Sequence, residues 1–432
     1  MDGATSTPAT RDAGAGDPAA GTAASPSTGA AISRGHRRAE LDGVRGLSVG
    51  IVIVTHATGL IWATGILIDA FFVLSGFLLT GIALEDSARR GGRLSPARFY
   101  GLRVARLGPA LAIMLVMTAL LSALGGGNPG GVSTTEAITW TALLSANWLE
   151  VLEPGGLGFL DHMWFLAIEE QFYLVWPFLL GALLTLRKQV RWILLLIATV
   201  MVVRVVLVVT GTGERHELWS VLRFDTLLLG GAMAFVVTRP KRYAGFLRLC
   251  EKTWLALVLI VVFFGGAALL GTLTSDPLRW ASFGLSSAFA ACAGFGMLHL
   301  LVRPGGPASR FFASRPLVLL GRTSYGLYLF HYPLFVYATR FHDWSRPVTA
   351  LFVAGTTVPL VLVVYYGVEL PVMRRAVRSA GVRSAVPAHP SRAPEASTPV
   401  DAPPRQRRGP GRRPRPPAPV EEPRPVLSEG AP

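Results

Sequence analysis

Apolar runs of about twenty residues recur along this chain, and no other feature constrains its fold so strongly. An α-helix rises about 1.5 Å per residue, so this is the length that crosses the hydrocarbon layer of a membrane. The ten runs cover roughly residues 44–62, 65–84, 104–124, 163–186, 192–210, 219–238, 253–272, 280–302, 317–338 and 348–368. They predict an all-α integral membrane protein with about ten transmembrane helices.

The amino-acid composition argues against a soluble domain, a nucleic-acid-binding protein and a disulfide-rich protein. Only 16% of the residues are charged and 51% are hydrophobic, whereas a soluble domain has about 25% charged residues. The net charge of +15 is spread along the chain rather than concentrated in a stripe or a known module, so no nucleic-acid partner is expected. Two cysteines, Cys250 and Cys292, cannot build a disulfide framework or a cysteine-rich metal site, and both are expected to be inert core thiols.

Three regions differ in composition. Residues 1–36 are rich in Ala, Gly, Ser and Pro, and residues 377–432 are rich in Pro and Arg. Neither region has enough large apolar groups to offset the entropy of ordering, so both are predicted to be disordered tails. Residues 37–376 form the predicted membrane domain. The first residues lack the pattern of a cleavable secretory signal.

The positive-inside rule sets the orientation. One set of alternate segments between the runs carries 22 Lys and Arg, and the other set carries only four. Both termini are therefore predicted to be cytoplasmic in a multi-pass protein of the plasma membrane. A shorter apolar run at 137–149 has too few residues to span and is predicted to be an interfacial or re-entrant helix.

Ionisable residues inside spans are candidates for function, because a charge at mid-bilayer costs a few kcal/mol. In the first span, the eleven residues from Arg45 to His56 bring a helix about 20° past three full turns, roughly 16 Å along its axis. The two side chains therefore share a face. His56 is either a catalytic base or a hydrogen-bonded structural histidine.

The second span carries Asp69 near its outer half and Ser75 deeper. A carboxylate on one ring nitrogen raises the basicity of the other, which makes Asp69 a natural partner for His56. Ser75 is a candidate for the donor site. With Gly76 beside it, Ser75 can equally be a small residue at a helix contact.

Arg103 and Arg106 are three residues apart, hence on one helical face at the predicted cytoplasmic mouth. Paired guanidinium groups suit a polyphosphate ligand, because each presents a planar fork of donors. The alternative is ordinary positive-inside charge.

Later spans supply further candidates. Glu169 is the inward carboxylate of a segment that also holds His162. Trp164 and Tyr173 in the same segment are candidates for acceptor binding, and the alternative for Tyr173 is the interfacial aromatic belt. Arg223, Asp225 and His331 are candidates for acceptor binding. Arg204, Arg322 and His299 are left to structural pairing.

Together these segments resemble the acyltransferase-3 family of bacterial multi-pass membrane acyltransferases. The resemblance rests on seven pieces in order, over about residues 37–376: ELDGVRGLSVGIVIVTHA, DAFFVLSGFLLT, FYGLRVARLGPA, HMWFLAIEEQFYLVWP, RFDTLLLGGAMA, GRTSYGLYLFHYPL and VELP. The sequence departs from the family at Phe165, where Ser commonly follows the Trp.

The resemblance implies transfer of an acyl group, often acetyl, from cytoplasmic acyl-coenzyme A to a hydroxyl of a sugar, glycolipid, polysaccharide or macrolide-type acceptor. It implies that His56 is catalytic, Arg45 its motif partner, and Arg103 with Arg106 the donor site. Asp69 or Glu169 is expected to orient His56, and either direct transfer or a transient acyl-histidine remains open. No permanently bound cofactor and no metal are expected.

One alternative function stays open beside this interpretation. A proton-coupled transporter or flippase could use the same intramembrane histidines and acids as a relay, although no inverted repeat is visible in the sequence. Many family members also carry an extracytoplasmic hydrolase-like domain, for which the last fifty or so residues are too few.

Overall fold

The computed structural model describes residues 39–58, 64–211, 218–273 and 286–379, and every regular element among them is helical. The helices are α1 (Ala39–Thr58), α2 (Thr64–Arg89), α3 (Pro96–Leu124), α4 (Thr134–Ala142), α5 (Ala146–Leu152), α6 (Met163–Thr185), α7 (Gln189–Thr210), α8 (Ser220–Thr238), α9 (Ala244–Cys250), α10 (Thr253–Leu273), α11 (Ser286–Val302), α12 (Pro307–Phe312), α13 (Arg315–Arg322), α14 (Ser324–Phe341), α15 (Arg346–Val364) and α16 (Leu370–Ser379). A π-helical turn, Tyr365–Glu369, joins α15 to α16, and a 3-10 turn, Gly158–Leu160, precedes α6.

Six helical stretches of the described residues are long and apolar enough to span a membrane. They are Ile68–Arg89, Pro96–Leu124, Met163–Thr185, Gln189–Thr210, Ser220–Thr238 and Arg346–Ser379. Two further apolar helices are shorter, Thr253–Gly266 and Ser286–Val302, and the predicted spans at 44–62, 253–272 and 280–302 border or enter undescribed residues. The membrane-helix class is confirmed, whereas the count of about ten and the cytoplasmic termini stay predictions.

Three predicted boundaries differ from the structure. The apolar run at 317–338 is divided at Thr323 into α13 and α14. The short run at 137–149 forms two helices, because Leu144 adopts a left-handed backbone with φ of 57° and ends the first. The last helix continues to Ser379, past the predicted start of the tail at 377. The tails themselves lie outside the described residues.

Proline marks the starts of several helices. Four helices have a proline in their first turn, directly after a Ser or Gly cap or one residue later. These are Pro96 in α3, Pro307 in α12, Pro316 in α13 and Pro347 in α15. Proline is tolerated there because the first amides of a helix have no partner within it and the ring presets φ. These starts are therefore determined locally.

The centre of the bundle is the contact between α2 and α8, the most extensive helix pair. Two glycines let the backbones approach. A Cβ atom added to Gly76 would lie 2.0 Å from the Leu227 carbonyl oxygen, and one added to Gly230 would lie 2.0 Å from the Val73 carbonyl oxygen. The sequence alternative of a helix-packing site at Ser75 and Gly76 is confirmed for Gly76, as expected of small residues in membrane bundles.

Helix α7 lies at the periphery. Large apolar side chains remain exposed along its length, among them Trp192, Leu194, Val202 and Val209. A contiguous apolar face of this size is too large for a water-exposed surface. It is the face expected to contact lipid.

The short helices α4 and α5, which precede α6 in the chain, are held in place by buried hydrogen bonds. Asn147 on α5 donates hydrogen bonds to the Leu218 carbonyl and the Ser220 hydroxyl, both at 2.9 Å. Gln171 on α6 donates to the Leu144 carbonyl at 2.6 Å. These buried amide bonds hold α4, α5 and the start of α8 against α6.

Neither cysteine forms a disulfide. Cys250 is buried, and its carbonyl oxygen lies 2.7 Å from His299 Nδ1. Burial and then the nearby Glu251 carboxylate raise the pKa of the Cys250 thiol to about 12. A free, buried thiol with a raised pKa fits the expectation of an inert core thiol at this position.

The close approach of α2 and α8 makes a prediction. Gly76→Ala should lower the free energy of unfolding by about 1–3 kcal/mol, because its methyl group would overlap backbone atoms that cannot rotate away. The measurement is the thermal unfolding midpoint of the purified protein in detergent. Gly50→Ala is the control, since nothing lies within 4 Å of a Cβ there; equal midpoints for the two variants would contradict the packing argument.

Candidate active site

Helix α1 carries a candidate residue near each end. Arg45 lies in its second turn and His56 in its last turn, roughly 16 Å apart along the axis. Around each of these residues the structure gathers a separate group of side chains. The site therefore consists of two regions linked by one helix.

A histidine cluster surrounds His56. Its ring centroid lies 5.5 Å from that of His331 and 5.2 Å from that of Tyr332, both on α14. His162, which precedes α6, stacks on Tyr332 at 4.9 Å and lies 5.6 Å from His331. We call His56, His162, His331, Tyr328 and Tyr332 the histidine cluster. No metal-binding arrangement of acids, histidines or cysteines occurs among the described residues.

His331 has a defined tautomer. Its Nδ1 lies 3.0 and 2.8 Å from the carbonyl oxygens of Leu327 and Tyr328, which only accept hydrogen bonds. Nδ1 must therefore carry the hydrogen, and Nε2 is the acceptor. That Nε2 is buried and has no hydrogen-bond partner among the described residues, although an unsatisfied buried polar atom costs about 1–3 kcal/mol.

Tyr328 joins the histidine cluster to α6. Its hydroxyl donates to the His162 carbonyl oxygen, and its ring packs on Phe165 with centroids 5.5 Å apart. Trp164 also contacts Phe165, at 6.3 Å, and is half-buried. Two rings, Phe165 and Tyr328, thus lie between Trp164 and the histidines.

Asp69 does not pair with His56, contrary to the sequence prediction. Its carboxylate accepts a hydrogen bond from Arg223 at 2.5 Å, and both side chains are buried. The guanidinium also lies over Phe72, 5.5 Å from the ring centroid. A buried carboxylate needs a hydrogen-bonded cation, and the rotation of α2 and α8 presents Arg223 rather than the imidazole.

Asp225 is part of a second buried ion pair. It lies 2.7 Å from Arg204 on α7 and accepts a hydrogen bond from Ser287 on α11. Arg204 also donates to the Leu222 carbonyl oxygen. Arg223 and Asp225 were expected to bind an acceptor, but here both are buried in ion pairs that join α2, α7 and α8, and the Ser287 hydrogen bond adds α11. The expected structural pairing of Arg204 is confirmed.

Arg103 is engaged by α6. Its Nε and Nη2 donate to the two carboxylate oxygens of Glu170 at 2.8 and 2.5 Å, and its guanidinium carbon lies 3.4 Å from the centroid of the Tyr173 ring. Bidentate pairing and stacking both use the planar guanidinium. Glu170 therefore already neutralises the charge that the sequence assigned to a phosphate.

In the structure, Ser75, Glu169 and Tyr173 lie close together, although the sequence analysis gave them different roles. The Tyr173 hydroxyl donates to Glu169, and the Ser75 side chain faces the same hydroxyl. We call Ser75, Arg103, Glu169, Glu170 and Tyr173 the α6 cluster. Glu169 accepts its hydrogen bond here, from Tyr173, rather than from His56.

Arg45 and Arg106 are the uncompensated cations of this region. Arg106 is exposed and lies within electrostatic range of Arg45, Arg103 and Glu369. Neither Arg45 nor Arg106 has an ion pair with any residue that the structure describes. The two guanidinium groups are available to an anionic ligand, which Arg103 is not.

Glu369 is a residue that the sequence analysis did not single out. It ends the π-helical turn, which packs against α3, and its Oε1 is buried with no hydrogen-bond partner in the described part of the chain. π-Helical turns are rare and occur often at functional sites. The sequence feature that could have indicated Glu369 is the VELP motif, which contains it. For Glu170, the sequence offered only its position next to Glu169.

The geometry of Arg103 makes a prediction. Arg103→Lys should lower the free energy of unfolding although it keeps the charge, because lysine cannot form the bidentate bond to Glu170 or stack on Tyr173. The measurement is the thermal unfolding midpoint of the purified protein in detergent. Arg93→Lys, at an exposed loop position, is the control, and an unchanged midpoint for Arg103→Lys would show that only the charge matters.

Comparisons with known proteins identify the family of the chain. The model of the acyltransferase-3 family, described as an acyltransferase domain, matches residues 38–366. Relatives include O-acetyltransferase OatA of Staphylococcus aureus, 28% identical over 316 residues that cover 70% of this chain and 51% of the relative. They also include peptidoglycan O-acetyltransferase OatA of Listeria monocytogenes, 29% identical over 71% of this chain and 51% of the relative.

A third relative is the putative peptidoglycan O-acetyltransferase YrhL of Bacillus subtilis, 27% identical over 78% of this chain and 55% of the relative. The chain thus spans about half the length of the curated relatives it matches. No solved structure matches it. Because the family model covers both ends of α1, the histidine cluster and the α6 cluster, the chain belongs to the acyltransferase-3 family.

Proposed function

We propose that the protein is a membrane-bound O-acyltransferase that moves an acyl group, normally acetyl, from cytoplasmic acyl-coenzyme A to a hydroxyl of a cell-envelope carbohydrate or glycolipid. Family membership supports the reaction class. The relatives' names, which specify O-acetyl transfer and in two cases peptidoglycan, support acetyl as the group and a carbohydrate as the acceptor. The plasma membrane is the proposed location.

One observation carries the proposal. His56 lies in a buried cluster of three histidines at one end of α1, while the uncompensated cations Arg45 and Arg106 lie toward the other end. A base and an anion site separated by roughly 16 Å of helix suit a donor whose phosphates and reactive thioester are at opposite ends of a long arm.

The donor phosphates bind Arg45 and Arg106 in this proposal. Arg103 contributes less directly, because Glu170 holds it and it stacks on Tyr173; it shapes the wall along which the arm of coenzyme A passes. Ser75 and Glu169 line the same wall. Glu369, with its unpaired carboxylate oxygen near Arg106, is an acceptor for an N–H group of the donor.

His56 acts as the general base. It removes the proton from the acceptor hydroxyl as the oxygen attacks the thioester carbonyl carbon. The new C–O bond forms, the C–S bond breaks, and the thiolate of coenzyme A leaves, taking up the proton from the imidazolium. The His331 ring, fixed by two backbone carbonyls and packed 5.5 Å from the His56 ring between centroids, positions His56 in the role first expected of Asp69 or Glu169.

The acceptor approaches from the side of Trp164 and Tyr332 in this proposal. Arg223 and Asp225 serve it indirectly, because their ion pairs with Asp69 and Arg204 fix α2, α7 and α8. Removing one member of such a buried pair typically costs about 3–5 kcal/mol. Variants at these positions are therefore expected to lower the stability of the helix bundle, whether or not they change acceptor binding.

The role of His56 is tested by substitution. His56→Ala should lower acyl transfer at least about 100-fold, since a general base contributes a factor of this order, without loss of membrane insertion. The measurement follows label from acetyl-coenzyme A into extractable glycans and lipids. The control is His342→Ala, an exposed histidine stacked on Trp344; an active His56→Ala protein would refute the assignment, and wild-type membranes that consume no thioester would favour the transporter alternative.

The donor site is tested at Arg106. Arg106→Gln should raise the KM for acetyl-coenzyme A at least tenfold and change kcat much less, because the lost contact is with the phosphates rather than the reacting atoms. Steady-state kinetics with varied donor provide the measurement, with Arg93→Gln as the control. An unchanged donor KM would exclude a phosphate contact at this position.

A further inference from the structure

A cavity of about 390 Å³ opens between the start of α7 and the connection from α8 to α9. Its cationic lining residues are Lys188, Arg191 and Arg242, and its lining includes no acid. All three are exposed, and none forms an ion pair with a residue that the structure describes. Three cationic side chains therefore border one concavity that has no acidic residue in its lining.

The rest of the lining is apolar or aromatic. Leu194 and Leu195 on α7 form one wall and are 50% and 46% exposed, and Tyr243 forms another beneath the Arg242 guanidinium, 5.8 Å from its ring centroid. The leucine wall continues into the apolar face of α7 described above. A ligand that fits must combine an anionic group with a hydrocarbon chain.

We propose that this cavity binds the head group of an anionic phospholipid, with the phosphate against Lys188, Arg191 and Arg242 and an acyl chain along Leu194 and Leu195. The loop that contains Lys188 belongs to the Lys- and Arg-rich set, which the positive-inside rule places at the cytoplasmic surface. Basic pockets between helices at that surface are the places where anionic lipid head groups bind. A free phosphate or a nucleotide would leave the leucine wall unused.

The site is independent of the proposed acyl transfer. Its residues belong to neither the histidine cluster nor the α6 cluster. Helix α7 nevertheless supplies Arg204 to the buried pair with Asp225 on α8. A lipid held at the start of α7 and at the α8–α9 connection would brace these two helices against each other and so stabilise the folded protein.

The test compares two triple variants of the full chain with equal charge. Lys188→Gln/Arg191→Gln/Arg242→Gln removes the cavity cations, and Arg187→Gln/Lys241→Gln/Arg248→Gln removes three exposed cations that do not line it. Purified proteins in a neutral detergent are titrated with phosphatidylglycerol and, separately, with phosphatidylcholine. Native mass spectrometry counts retained lipid, and the thermal unfolding midpoint is recorded in parallel.

We expect the cavity variant to bind phosphatidylglycerol at least tenfold more weakly than wild type and to lose the lipid-induced rise in midpoint. The control variant should keep both. The proposal is overturned if both variants lose binding equally, since the effect would then be general surface charge, or if wild type retains phosphatidylcholine equally well.

A competition arm separates a lipid from its head group alone. Glycerol 3-phosphate, which has the anionic group but no acyl chain, should fail to displace phosphatidylglycerol at equal concentration. Equal displacement would overturn the role of the leucine wall. Arg242→Gln alone, in the connection between helices, provides a variant whose fold is expected to be intact and should show a smaller loss of the same sign.

Discussion

The cost of placing charge in hydrocarbon determines most of this structure. An isolated ion is so unfavourable there that buried charges must be paired and hydrogen-bonded. Arg223 with Asp69, Arg204 with Asp225, and Arg103 with Glu170 each meet this requirement. Every one of these pairs joins different helices, so pairing fixes the rotation and depth of the helices as well as the charge.

The proposed donor and acyl-transfer regions contain groups that this pairing leaves out. Arg45 and Arg106 have no ion pair with a residue that the structure describes, and Glu369 Oε1 and His331 Nε2 are buried without a hydrogen-bond partner there. Frame residues also contain such atoms, for example Arg204 Nε and Arg223 Nε. An unsatisfied atom therefore supports a functional role only together with its place beside His56 or Arg106.

Small residues allow the frame to close around these groups. Gly76 and Gly230 let α2 and α8 approach until backbone atoms are in contact, and hydrocarbon solvent offers no hydrophobic drive to compensate for a poorer fit. With that contact fixed, Phe72 stacks on Phe165 with centroids 4.5 Å apart. These two rings lie between Arg223, whose guanidinium is over Phe72, and Tyr328 of the histidine cluster, which packs on Phe165.

The sequence by itself determined the membrane-helix class, several helix starts at proline, the shared face of Arg45 and His56, and the family, because these follow from local composition, periodicity and motif order. Only the tertiary structure decided which charged groups pair. Asp69 pairs with Arg223 rather than with His56, and Arg103 pairs with Glu170 rather than with a ligand. Spacing along one helix gives depth and relative angle, but the rotation of one helix against another depends on packing over all of them. For the same reason, the sequence listed His56, His162 and His331 on three separate segments, and only folding made them neighbours.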